Sequence, residues 1–428
     1  MGKKRMSTIT IALIVLVVAV MGTVIALNFV SGEKKIKEAI VKRYSIDDPQ
    51  FLRSMGVLLG PPIIAGNRTK TLVNGDEIFP AMLEEVRAAK RSITFETYIY
   101  WSGTIGKEFS DALSERARAG VKVYVLLDWA GAAKMDDTYL QAMKDAGVQI
   151  EKYHPLRWYN LSRMNNRTHR KLLVVDGKVG FTGGVGIADQ WSGNAQNIEH
   201  WRDTHFRVEG PVVAQMQAAF MDNWIKTRGE VLHGDDFFPA LVPVGEEAAQ
   251  VFKSSPGEGA ESMRLMYLLS INAAQKNIQI ANSYFVPDDL TIETLEEAMK
   301  RGVRVQIIVP GGKIDTELVR KASRARWGKL LEAGAEISEY QPTMFHCKVM
   351  VVDELWASVG STNFDNRSFR LNDEANLNVY DREFALRQRA IFAEDLKKSK
   401  RITLEQWQHR PWQEKLLEHT SALLRSQL

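Results

Sequence analysis

A single cysteine, Cys347, stands in 428 residues, so no intrachain disulfide can staple the chain and its redox compartment is left open. Excess charge of one sign is missing as well. The 56 Lys and Arg against 52 Asp and Glu leave a formal +4, which argues for no nucleic-acid partner and leaves room only for a local cationic site. Long apolar runs are absent except for one at the N-terminus. Internal repeats with a period on the order of 20–50 residues are absent too, which excludes a solenoid. What remains is 45% hydrophobic and 25% charged, an ordinary globular balance on a chain long enough for two domains.

The one apolar run is Thr8 to Val30, uncharged, after a basic stretch (residues 1–7) containing Lys3, Lys4 and Arg5. At about 1.5 Å per residue it spans a hydrocarbon core of about 30 Å. It is too long for a signal peptide and no clear A-x-A site follows, so an uncleaved transmembrane anchor is expected over 8–30. That places the protein in the cell (inner) membrane as a single-pass chain. Lys34, Lys35, Lys37, Lys42 and Arg43 follow the run, in a juxtamembrane segment over 31–50, and the sequence leaves the side of the catalytic body open.

The rest of the chain is present twice. Ala88–Tyr100 answers Ala273–Phe285, Arg118–Asp128 answers Lys300–Pro310, and Asp145–Pro155 answers Glu332–Pro342. Amphipathic helices alternate with short β-branched strands in each copy, which predicts α/β repeats with a mostly parallel sheet. The first is expected over 51–233, a proline-containing linker over 234–247 and the second over 248–401. The tail, 402–428, follows the basic run Lys397–Arg401 and carries Trp407 and Trp412. It reads equally as a packed helical end or as an interfacial patch of cations and tryptophans. Trp158 and Tyr159, in an insertion before His169, read as a substrate-side or bilayer-facing loop.

Both repeats carry His-x-Lys-x4-Asp: His169, Lys171 and Asp176, then His346, Lys348 and Asp353. Alternate side chains of a strand share a face, so each His points with its Lys, and Cys347 falls opposite, as a small buried residue. Asp176 and Asp353 have the other parity and are expected to cap the turn that follows. Two imidazoles and two ammonium groups around one cavity suit a phosphodiester. One imidazole attacks phosphorus, the other moves the proton, and the lysines offset the charge of the transition state. No metal or other cofactor is expected, because a lysine beside each histidine repels a cation. Asp203 and Glu374 lie downstream of their own histidines and are expected to bond Nδ1 and leave Nε2 free. Ser361 and Asn363 add hydrogen-bonding groups two residues apart.

The second copy, His346, Lys348, Asp353 and then Gly360-Ser361-Thr362-Asn363, resembles the phospholipase D superfamily signature. GSTNFDNRSFRLNDEANL, residues 360–377, is similar to bacterial cardiolipin synthases. The resemblance implies two α/β/α sandwich repeats related by pseudo-two-fold symmetry, His169 as nucleophile through a phosphohistidine, and His346 as general acid and base. It implies transfer between two phosphatidylglycerol molecules, with a lipid hydrolase, a phosphodiesterase or nuclease, and a catalytically weakened membrane scaffold as the other readings. Partners are the phospholipid and the membrane, with no nucleic acid. Gly184 and Gly186 replace the Ser and Asn of the pattern in the first copy. The half-sites should therefore be unequal, with Asn363 unpartnered across the dyad, and Gly186→Asn is expected to leave the fold intact.

Overall fold

The computed structural model describes residues 7–27, 36, 38, 40, 44–155, 165–256 and 261–422. Lys3, Lys4, Arg5, Lys34, Lys35, Lys37, Lys42, Arg43, Trp158 and Tyr159 lie outside the described residues, and so do the expectations placed on them.

Among the described residues, each repeat spends its β-branched segments on eight strands. The first has β1 (Ile64–Val73), β2 (Ser92–Thr97), β3 (Lys122–Asp128), β4 (Gln149–Tyr153), β5 (Arg167–Thr168), β6 (Leu172–Val175), β7 (Val179–Gly183) and β8 (Thr204–Glu209). The second has β9 (Glu247–Ser254), β10 (Asn277–Asn282), β11 (Arg304–Pro310), β12 (Glu336–Tyr340), β13 (Lys348–Val352), β14 (Trp356–Gly360), β15 (Asn372–Tyr380) and β16 (Ser399–Ile402). The first half runs β1-β8-β7-β6-β2-β3-β4 and the second β9-β15-β14-β13-β10-β11-β12, the same order twice. β1 pairs antiparallel with β9, so the two halves form one continuous sheet.

The expected mostly parallel sheet is corrected. Only β2-β3-β4 and β10-β11-β12, which helices connect, run parallel along the sheet; the other neighbours are antiparallel. The reason is the motif itself. Asp176-Gly177 and Asp353-Glu354 take positive φ (53°, 64°, 51° and 57°) and turn each motif strand straight back into its neighbour. Helices cover both faces of the sheet. In β6, Leu173 and Val175 pack into one core with the helices Asn74–Ala88 and Thr104–Arg118, while Leu172 and Val174 pack into another with the helix Val213–Arg228.

One boundary differs from the sequence reading, and the tail is placed in more detail. The helix Pro49–Leu59, capped by Asp48, buries Phe51, Met55 and Leu59 in the core of the second repeat, not the first. The basic run Lys397–Arg401 closes the helix Arg382–Lys397 and then enters the edge strand β16. Trp407 is packed, its indole N–H donating to the Arg324 carbonyl at 2.8 Å, whereas Trp412 is 70% exposed. The residues Thr8–Leu27 form a helix with an exposed apolar surface. Its side chains are described through Thr23, and over the described residues no helix is long and apolar enough to cross a membrane.

Candidate active site

The strand order brings the two motif hairpins towards the join between the repeats, and there each histidine is held by the other repeat. The His169 main-chain N–H donates to the Asp373 carbonyl at 2.9 Å, and the His346 N–H to the Arg202 carbonyl at 2.8 Å. The next residue along supplies the carboxylate. His169 Nδ1 lies 3.0 Å from both Glu374 oxygens, and His346 Nδ1 lies 2.8 Å from Asp203 Oδ2. The expected carboxylate partners are therefore right in kind, but they are exchanged: Asp203 serves His346 and Glu374 serves His169. Neither repeat contains a complete histidine–carboxylate pair.

With Nδ1 engaged, Nε2 is the nitrogen left to face substrate, and His346 Nε2 lies 3.3 Å from Lys348 Nζ. Both histidines and Lys171 line one cavity of about 730 Å³, together with Asn363. The lysine ammonium groups are tethered beside the rings. Lys171 Nζ donates to the His169 carbonyl at 3.0 Å, and Lys348 Nζ to the His346 carbonyl at 2.8 Å and to Ser283 Oγ at 2.7 Å.

The electrostatics of the half-sites differ. Burial pushes His169 well below the usual histidine range, and the charges of Lys171 and Lys348 reinforce this. Burial and Lys348 lower His346 too, but the Asp203 carboxylate opposes them. Burial also works against ionisation of Asp203, yet the hydrogen bond and charge of His346, with Lys348, hold it below the usual carboxylate range. Glu374 goes the other way: burial raises it against the pull of Lys171. Burial and Lys348 lower Lys171. His169 is thus biased to the neutral, nucleophilic form, and His346 faces the firmer anion, which favours a proton donor.

Asp176 and Asp353 are placed away from this chemistry. Asp176 accepts the main-chain N–H groups of Lys90, Arg91 and Ser92 at 2.7 to 3.1 Å, and Asp353 those of Gln275, Lys276 and Asn277 at 2.6 to 2.8 Å. Each carboxylate pins the motif turn to the loop that starts the neighbouring strand.

The first-copy glycines have local causes. Ser361 Oγ donates to Glu374 Oε2 at 2.5 Å. A Cβ at Gly184 would lie 2.2 Å from Asp203 Oδ1, so no serine fits there, and the Trp191 indole N–H donates to Asp203 Oδ2 at 3.0 Å instead. At Gly186 a Cβ would lie 2.8 Å from the Ile99 Cβ and 3.2 Å from the Trp191 ring. A side chain at this position must displace Ile99, a cost that the expectation for Gly186→Asn did not include. Asn363 has no dyad-related asparagine, and its Oδ1 accepts from Ser283 Oγ of its own repeat at 2.7 Å.

Several site residues carried no signal in sequence. Trp191 and Trp201 flank the His346 ring at 5.3 and 5.7 Å, and Tyr98 meets His169 edge-on at 5.3 Å. Arg170, fully buried at the x position of the motif, donates to the carbonyls of Ala219, Ser254 and Glu374 and pairs with Asp222 at 3.1 Å and Asp373 at 3.5 Å. Cys347, at the same position of the second motif, is buried as expected.

Comparison with known proteins gives the family. The family model described as "Cardiolipin synthase, PLD-like domain" matches residues 82–224 and 267–396, one match per repeat. A cardiolipin synthase of Geobacillus sp. (strain WCH70) is 37% identical over 85% of this chain and 73% of its own length. Cardiolipin synthase 2 of Bacillus anthracis is 35% identical over 83% and 70%, and cardiolipin synthase A of Pseudomonas putida (strain GB-1) is 34% identical over 86% and 77%. Among solved structures, a phosphatidylserine synthase of Haemophilus influenzae superposes with a TM-score of 0.65 over 89% of this chain and all of its own; at 16% identity that likeness speaks for the fold alone. With two motif-bearing repeats, a shared cavity and relatives matched over most of their length, the chain belongs to the cardiolipin synthase family of PLD-like-domain proteins.

Proposed function

We propose that this chain is a membrane-anchored phosphatidyltransferase that joins two phosphatidylglycerol molecules into cardiolipin and releases glycerol. The observation that carries the reading is the crossed arrangement: two histidines on one cavity, each with Nδ1 bound to a buried carboxylate of the other repeat. His169 Nε2 bonds to the phosphorus of the donor lipid as the bond from phosphorus to the glycerol oxygen breaks. His346 gives its Nε2 proton to that departing oxygen. The neutral His346 then takes the proton from the acceptor hydroxyl, whose oxygen attacks phosphorus as the bond to His169 Nε2 breaks. Lys171 and Lys348 face the charge that builds on the phosphoryl oxygens. One phosphodiester is exchanged for another, so the transfer needs no nucleotide.

The anchor reading rests on the uncharged stretch Thr8–Val30, of which Thr8–Leu27 is helical, with Ile9, Leu13, Val17 and Met21 exposed. At about 1.5 Å per residue that helix is about 30 Å long. The test is product analysis with vesicles of labelled phosphatidylglycerol. Cardiolipin and glycerol in equal amounts are expected, and no turnover by His169→Ala or His346→Ala. Phosphatidic acid as the sole lipid product would replace the transferase by a hydrolase, and substantial turnover by either variant would overturn the two-histidine mechanism.

A further inference from the structure

Each carboxylate that serves a histidine sits next to a buried ion pair that the transfer chemistry leaves unused. The segments that cross between the repeats pair as short parallel strands, with Asp373 opposite Thr168 and Arg202 opposite Phe345. The motif offset of 177 (345 − 168) and the carboxylate offset of 171 (373 − 202) relate the two pairings across the dyad. Alternate side chains take opposite faces, so Glu374 and Asp203 meet the rings while Asp373 and Arg202 turn away from them. Asp373 and Arg202 are both buried, and each meets a buried ion of the other sign, Arg170 and Asp395.

The two pairs are wired in opposite senses. In the first half-site the guanidinium stands next to the histidine. Arg170 Nη2 lies 3.5 Å from Asp373 Oδ1 and 3.1 Å from Asp222 Oδ2, and its Nε donates to the Glu374 carbonyl at 3.2 Å. In the second half-site the guanidinium stands next to the carboxylate. Arg202 donates from Nε and Nη2 to the two oxygens of Asp395 at 2.9 and 2.8 Å, and from Nη1 to the Asp203 carbonyl at 2.6 Å. That carbonyl also accepts the Asn74 main-chain N–H at 3.0 Å. The counterpart of Arg170 at the motif offset of 177 (347 − 170) is Cys347, which brings no cation of its own. On both sides, then, a guanidinium of the first repeat holds the main-chain carbonyl of the carboxylate residue and is itself fixed by an acid of the second.

Resting on the transferase reading above, we propose that Arg170 and Arg202 are positioning residues, Arg170 for the nucleophile His169 through Glu374 and Arg202 for the proton donor His346 through Asp203. A buried ion pair often adds no stability over apolar residues of the same volume. What it supplies here is direction, because the planar fork fixes the angle between the anchoring acid and the carbonyl it holds, which an ammonium group does not. The acids around Arg170 have other donors. Asp373 accepts from the Tyr153 and Ser255 hydroxyls at 2.9 and 2.7 Å, and Asp222 pairs with Lys226 and Lys253 at 3.1 and 2.9 Å. Arg170 adds to them the bond that reaches the Glu374 main chain.

The test uses Arg170→Lys and Arg202→Lys in the full-length protein, which keep each charge and lose the fork. Two donors are compared in vesicles, phosphatidylglycerol and the 4-nitrophenyl ester of phosphatidic acid, by first-turnover release of glycerol and of nitrophenolate. Glycerol needs a proton to leave and nitrophenolate does not, so only glycerol release draws on His346 as acid. A displacement of about 1 Å can cost about 10²-fold in rate. Arg202→Lys should therefore lower glycerol release about tenfold or more beyond any effect on nitrophenolate release. Arg170→Lys should lower both releases about tenfold or more, by factors within about threefold of each other. The same loss of both releases in both variants, loss of neither, or the reverse division overturns the assignment. Where a lysine variant does not fold by circular dichroism, Asp373→Asn stands in for Arg170→Lys and Asp395→Asn for Arg202→Lys, with the same division expected. Failure of all four to fold assigns the pairs to stability and overturns the proposal. If wild-type protein releases glycerol and nitrophenolate yet makes no cardiolipin, it is the cardiolipin reading that fails; the division between the two donors then still decides the positioning.

Discussion

Replacing Glu374 by Gln and Asp203 by Asn removes one charge from each histidine pair, but the surroundings predict unequal damage. A charge-assisted hydrogen bond contributes about 1.5–3 kcal/mol, so its loss alone costs roughly ten- to a hundredfold in rate. Forcing the wrong imidazole tautomer costs about 10⁴-fold where the same change has been made in a catalytic triad. Which of these applies depends on where an amide NH₂ can point. Around Glu374 the neighbours are Ser361, Ser368 and Asn372. The Ser361 hydroxyl can turn to the Ala375 carbonyl, 3.2 Å away, and accept from a Gln NH₂, which leaves the amide oxygen for His169. Around Asp203 every other donor is fixed: the Trp191 indole N–H on Oδ2 and the Thr204 main-chain N–H on Oδ1 at 2.8 Å. An Asn NH₂ there opposes a donor that cannot reverse, and facing His346 it would force the proton onto Nε2. We expect Glu374→Gln to lower kcat about a hundredfold and Asp203→Asn by 10³-fold or more. Initial rates of glycerol release, normalised to folded protein by circular dichroism, give the comparison. If Asp203→Asn is the milder variant, or both stay within about threefold of wild type, the crossed pairing does not hold the tautomers.

Gly186→Ala should lower stability by about 1–3 kcal/mol through overlap with Ile99, and Ile99→Ala in the same chain should recover part of it; no loss in a urea titration would refute the packing account. Asp176→Asn and Asp353→Asn keep a side chain suited to positive φ but lose the carboxylate that gathers three N–H groups. Their effect should appear as a lower melting temperature more than as a lower kcat per folded molecule, and the reverse would put them in the chemistry. Glu96, buried with Oε2 lacking a hydrogen-bond partner among the described residues, is raised by burial to about 7. The unfolded carboxyl ionises near its usual value while the folded one keeps its proton, so stability should fall as pH rises from about 4.5 to about 7, by on the order of 3 kcal/mol. Glu96→Gln should flatten that slope in urea titrations at pH 5 and 8, and an unchanged slope would assign it to another group.

The duplication, the motif parity and the turn role of Asp176 and Asp353 were legible because each leaves a mark along a single strand. The identity of the carboxylates was legible for the same reason, from the shared position of Asp203 and Glu374 after each motif. Their exchange was not, because it depends on β1 meeting β9 and on where the segments before Asp203 and Glu374 cross the dyad, and no periodicity encodes that. Trp191 was hidden differently. It replaces the hydroxyl of Ser361 in function but comes from a position of another residue type, so only the distance to Asp203 reveals the substitution.

The helix Pro49–Leu59 carries a consequence for how the chain is made. Phe51 meets the ring of Tyr380 at 6.0 Å, and 329 residues (380 − 51) separate the two. At about 5–20 residues per second, the ribosome needs roughly 15 to 65 seconds to deliver that partner. Part of the cover of Pro49–Leu59, the helix Ser262–Ala273, is made earlier, but the contact with β15 waits for that interval. A chain cut short before β15 would keep its first repeat's strands, yet leave Phe51 without Tyr380 and His169 without Glu374. Completion of the last core and arming of the nucleophile are therefore one event, late in synthesis, with the N-terminal run already long clear of the ribosome.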